Sequence, residues 1–176
     1  MTGVQTCALP ILSALELAVA AQAPPKPAFV ITLNGDGFAM KELTFAPMAA
    51  TYANNVWRSS RDPRIDRIEL IGLAERGSYQ LQIGVPPVVG TFAFDKSDED
   101  KADRNPYLNF LLKIENPKDS TTRAYKAEHV DVVVTTLDPI GGRIAGSVRG
   151  TIRDGGDPVT LSGTFSIVRG RDRVVD

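Results

Sequence analysis

The chain has 176 residues, and 20 Lys plus Arg nearly cancel 21 Asp plus Glu to leave a formal charge of −1. A near-neutral chain lacks the broad basic footprint of nucleic-acid binding proteins, and with 1 His and 1 Cys it cannot build a metal site from several imidazoles or thiolates. Glycine (15) and proline (12) punctuate short apolar runs, the spacing expected of an all-β domain.

Residues 1–11, MTGVQTCALPI, resemble the conceptual translation of a sequencing-library adapter, so they are set aside from the fold reading as a sequence artefact. Cys7 lies inside that string, which leaves the remainder without a disulfide, a thiolate nucleophile or a Cys-bound zinc. Residues 12–23 read as the remnant of a signal peptide or as a lead-in. Small and apolar residues from Leu12 close on Val19-Ala20-Ala21, a pattern that suits signal peptidase, while Glu16 interrupts the run. No apolar run is long enough to serve as a transmembrane helix. The expected location is extracytoplasmic: periplasmic, cell-surface or secreted. Residues 24–176 read as a single domain of a size that buries its own core.

Strand candidates follow at Phe29–Leu33, Leu43–Phe45, Arg67–Leu73, Ser78–Ile83, Gly90–Phe94 and Tyr107–Ile114. Turn residues separate them at Asn34-Gly35-Asp36-Gly37, Glu75-Arg76-Gly77, Val85-Pro86-Pro87 and Asn116-Pro117-Lys118-Asp119. Residues 46–58 are ambiguous: the alanines favour helix, whereas Pro47 and Asn54-Asn55 oppose a long one, so a helical turn or an irregular crossover is expected. The acidic stretch from Asp95 to Asp103 offers alternate oxygen ligands for calcium. It lacks the turn glycine and distal glutamate of an EF-hand and contains two lysines, so a solvated loop is the expectation.

The strongest signal lies further on. His129 to Leu137 is a β-branched run ending at Asp138-Pro139-Ile140-Gly141-Gly142. Ile144, Gly146, Val148, Gly150 and Ile152 then alternate with polar residues, and Val159, Leu161, Gly163, Phe165 and Ile167 repeat the pattern after a Gly-rich turn. Period two with one apolar face predicts a hairpin and, with residues 129–137, a three-stranded meander. The expected fold is an all-β antiparallel sandwich of about nine strands ending in that meander. Arg169, Arg171 and Arg173, interrupted by Asp172, read as a solvated tail.

The block from Val130 to Val168 resembles the C-terminal signature of uncharacterised bacterial secreted and lipoprotein β-sandwiches. Their pattern is a strand and a turn, then I-x-G-x-F-x-G-x-L, a polar turn, and V-x-I-x-G-x-F-x-V. Val148 stands here in place of the usual aromatic, and Val89-Gly90-Thr91-Phe92-Ala93-Phe94 is similar to the strand that often precedes the block. The resemblance covers about half the chain. It implies an envelope or extracellular location and no activity.

Chemistry-bearing motifs are scarce. His129, beside Glu128 and Asp131, is the one candidate general base and reads as a structural or exposed strand-end residue. Gly141-Gly142 and Gly155-Gly156 are turn glycines with no lysine or helix start behind them, so they are not phosphate loops. Glu69, Glu115 and Asp131 are the acids on predicted strands that a carboxylate-based hydrolase would bring together in a cleft. Trp57 and Tyr52 are candidates for a sugar-stacking platform, against the plainer reading of a plug beneath a loop. No catalytic, cofactor-binding or metal residue is assigned. The expected function is a non-catalytic secreted or cell-envelope domain with a binding, adhesion or structural role, its partner an envelope protein or a glycan rather than nucleic acid. The alternatives are a calcium-dependent or carbohydrate-binding module and, behind these, a carboxylate-based hydrolase.

Overall fold

The computed structural model describes residues 26–48, 53–98, 109–115 and 121–175. The adapter-like string, the lead-in at 12–23, Tyr52 and the acidic stretch beyond Asp98 lie outside the described residues. Eleven strands follow one another: β1 (Ala28–Gly35), β2 (Phe38–Pro47), β3 (Asn55–Ser59), β4 (Arg67–Ala74), β5 (Tyr79–Val85), β6 (Gly90–Asp95), β7 (Asn109–Glu115), β8 (Thr122–Leu137), β9 (Arg143–Arg153), β10 (Val159–Val168) and β11 (Asp172–Val175). Among the described residues there is no α-helix, only three short 3-10 turns.

The architecture corrects the expected sandwich. Neighbouring strands run β4-β2-β1-β10-β9-β8-β7-β5, and β5 pairs back onto β4, so eight antiparallel strands close into a barrel. Strands β3, β6 and β11 are additions to it. Period-two alternation reports that one face of each strand is buried; it does not distinguish a sheet stacked on a second sheet from one that curls to face itself. Closure here depends on long-range pairs such as Ala46↔Leu73 and Tyr79↔Ile114, which no local pattern encodes.

The alternation itself places side chains as the sequence indicates. Ile144, Val148, Ile152, Val159, Leu161, Phe165 and Ile167 are all buried, and β8, β9 and β10 are consecutive antiparallel neighbours. One apolar cluster fills the interior, with Phe29, Phe45, Leu70, Ile83, Leu112 and Tyr125 among its members. An eight-stranded barrel is just narrow enough for side chains to fill. Inward glycines make the fit: a Cβ on Gly72 would stand 2.8 Å from Phe45 Cβ and from the Phe29 ring. Outward positions carry polar residues such as Thr44, Gln82, Asp131, Arg149 and Ser162, the reverse of the polarity of a barrel whose wall faces lipid.

Two strands lie where none is expected. Within the ambiguous segment, Asn54 adopts φ +60°, and β3 begins at Asn55 and pairs with the start of β4. The arginine-rich end is not a solvated tail: it forms β11, which runs parallel to β3 from Asp172↔Val56 to Val175↔Ser59. Asn55 fastens the two, its Oδ1 accepting the Arg171 N–H at 2.8 Å.

Candidate functional site

Strand β8 starts seven residues before the run expected from the sequence, at Thr122 rather than His129, and it carries a bulge where the two stretches meet. Ala127 pairs with Ile152 and His129 with Thr151, which leaves Glu128 as an extra residue. That insertion explains how Tyr125 and Val130, an odd number of residues apart, both point inward. On the opposite edge of β8, β7 pairs with Thr122–Lys126 and β6 with His129–Val134, so neither covers Ala127 and Glu128.

At this gap the barrel wall holds a groove of about 270 Å³, lined by Lys96, Lys126, Glu128, Arg153 and Asp154 together with Ala124, Ala127 and Gly155. Its acids are engaged by arginines. Glu128 Oε1 lies 3.2 Å from Arg153 Nε. Asp154 accepts from Arg123, whose guanidinium also reaches Asp36 in the β1–β2 turn. Beneath them the buried Tyr125 donates its hydroxyl proton to Asp36 Oδ2 at 2.9 Å, and Arg123 lies 5.0 Å from the centre of its ring. Three elements of one barrel end, the β1–β2 turn, the start of β8 and the β9–β10 turn, are thereby tied together.

The electrostatics follow from these contacts. The Arg123 guanidinium holds the Asp154 carboxyl below its ordinary range. Burial, reinforced by the bond to Asp36, pushes the Tyr125 phenol up. Both shifts fix the groups in the forms they hold at neutral pH, a carboxylate and a phenol.

The residues singled out in the sequence are dispersed. His129 is exposed, its Nδ1 3.5 Å from Asp95 Oδ2 across the β6–β8 pair. Asp95 also accepts from the backbone N–H and hydroxyl of Ser97, which hold its carboxyl low. Glu69 on β4 accepts from Gln82, Asp131 on β8 faces Arg149, and Glu115 ends β7 at the surface. These three acids are not gathered into one cleft. Trp57 sits between Arg67 on β4 and Arg173 on β11, with guanidinium carbons 5.2 and 5.7 Å from the ring centre, so cations occupy the place where a sugar would stack. Among the described residues no group of three or more His, Cys, Asp or Glu is arranged to hold a metal.

Glu128, Arg153 and Asp154, which line the groove, and Arg123, which pairs with Asp154, were not singled out in the sequence as site residues. The only local trace of the groove is the break in alternation at Ala127-Glu128. No family model, curated protein or solved structure matches this chain.

Proposed function

We propose that this chain is a non-catalytic extracytoplasmic domain of the cell envelope, with a binding or structural role. The observation that carries the reading is the pairing of the groove's acids: Asp154 with Arg123 and Glu128 with Arg153. Glycoside hydrolysis by two carboxylates needs one of them to hold a proton near neutrality, and Arg123 holds Asp154 in the opposite direction. The filled barrel interior supports the same reading, since it turns binding to the outer wall and the rims. The signal-like residues 12–21 support export.

The test is fractionation of cells that express the gene behind its own upstream region. Recovery in the periplasm, at the surface or in the medium is the expected result. Recovery in the cytoplasm with residues 12–21 uncleaved overturns the location.

A second reading, a carbohydrate-binding module, draws on the groove. Its paired cations and acids supply both donors and acceptors, which sugar hydroxyls require, and its volume suits a single ring. Titration with N-acetylglucosamine and glucose, followed by amide chemical shifts, should move Ala127, Glu128 and Gly155. Shifts spread evenly over the barrel, or none, would remove this reading. Calcium is tested in parallel by melting: a rise of several degrees that is lost in Asp98→Ala supports it, and no shift removes it.

A further inference from the structure

The large exposed apolar side chains are not scattered. Among the described residues six stand out, Met40, Val88, Val89, Ile140, Val168 and Val174, each between 52% and 71% exposed. Met40 follows the β1–β2 turn. The other five share the opposite rim, as the strand register shows. Leu137 pairs with Ile144 and Val168 with Arg143, which places the β8–β9 turn and the end of β10 together. Gly90 pairs with Val134, which brings the β5–β6 connection carrying Val88 and Val89 to the same end. The Gly141 N–H donates to the Arg169 carbonyl, the Gly170 N–H donates to Asn54, and the Ser60 N–H donates to Val175. These bonds join the Ile140 turn, β11 and the β3–β4 connection into one surface.

The same rim is rich in arginine. Arg58, Arg61, Arg64, Arg143 and Arg171 are exposed there; Arg64 pairs with Asp62 and Arg58 with Asp66 and Asp172, so these arginines still outnumber the acids they pair with. Exposed aliphatic side chains rimmed by arginines match the two layers of a bilayer surface, acyl chains below and phosphates above. Guanidinium suits phosphate because its donors form a planar fork. We infer that this rim docks the barrel, end-on, to a membrane surface that carries anionic phospholipid, with Ile140, Val88, Val89 and Val174 entering the interface and Arg61 and Arg171 contacting headgroup phosphates. The inference does not rest on export: it needs only an anionic bilayer, on whichever side of a membrane.

The test is co-sedimentation of the full chain with large unilamellar vesicles, of phosphatidylcholine alone or with roughly a third phosphatidylglycerol. The expected result is binding to the mixed vesicles that falls with salt and is weak on phosphatidylcholine. Ile140→Glu with Val174→Glu, and separately Arg61→Glu with Arg171→Glu, should each weaken binding by about tenfold or more, while Met40→Glu at the far end changes nothing. Val88→Ser with Val89→Ser repeats the apolar arm should the first pair misfold. Equal sedimentation of wild type and all rim variants overturns the inference. So does a wild type that ignores both vesicles but forms a dimer abolished by Ile140→Glu, which would make the rim a contact between copies of this chain.

Discussion

Gly146 on β9 lies directly opposite Phe165 on β10, and the ring occupies the space a side chain at 146 would need. A Cβ built on Gly146 would stand 2.6 Å from Phe165 Cζ and would collide with the Val133 carbonyl on β8, the neighbour of β9 on its other side. The second contact is with backbone, which cannot swing away as a side chain can. Gly146→Ala should therefore lower stability by about 1–3 kcal/mol. Gly90→Ala, whose added methyl would come no nearer than 3.4 Å to Phe92, should cost less. Paired urea melts check the ranking, and equal midpoints for the two variants would contradict it.

The acid side of the stability profile should depend on Asp154. Its carboxyl titrates below the ordinary value of 3.8 because Arg123 pairs with the ionised form. The pair's contribution is complete above that ordinary value and disappears as pH falls through the lower folded value. Melting temperature followed downward from pH 6 should drop more steeply in the wild type than in Asp154→Asn below about pH 4. Parallel curves would show that the carboxylate contributes nothing.

Tyr125 governs the alkaline side. Its phenol is held up by burial and by the bond to Asp36, so the folded state favours the protonated form. That contribution is intact below the ordinary value of 10.0 and is lost as pH rises beyond it. Tyr125→Phe keeps the buried ring but removes the hydroxyl and leaves Asp36 with Arg123 alone. It should cost about 1 kcal/mol at neutral pH and flatten the loss of stability above pH 10. Thermal melts at pH 7 and pH 11 separate the two effects.

How far the sequence disclosed this molecule depends on which interactions are local. The faces of β9 and β10 could be read directly, because the alternation runs without a break from Ile144 to Ile152 and again from Val159 to Ile167. Strand β8 could be read only from His129 onward: the bulge at Glu128 shifts the period, so Tyr125 falls out of phase with Val130 and the preceding stretch looks irregular. Strand β11 looks like a tail because its four residues include two charges, and its partner β3 lies more than a hundred positions away in a segment whose alanines mimic helix. The groove was hidden for the same reason. Arg123, Asp154 and Asp36 meet only once β1, β8 and the β9–β10 turn are brought to one end of a closed barrel.

The parallel pair of β3 and β11 leads to the last expectation, which uses the single tryptophan of the chain. Strand β11 pairs with β3 alone, and the sheet edge that joins β3 to the barrel has only three registered positions on β4, from Asn55↔Glu69 to Trp57↔Arg67, supplemented by the bonds of Asn54 to Glu69 and of Arg169 to the Gly141-Gly142 turn. A unit held along so short an edge opens at a lower free energy than the barrel core. Trp57 lies at its centre, half-buried between Arg67 and Arg173. In a urea titration its emission should shift to the red before the far-ultraviolet circular dichroism of the barrel changes. Asn55→Ala removes the acceptor that holds the Arg171 N–H and should widen the interval by moving only the fluorescence midpoint downward. Coincident midpoints in both proteins would mean that the added strands and the barrel unfold as one unit, and that the short edge on β4 is stronger than its length implies.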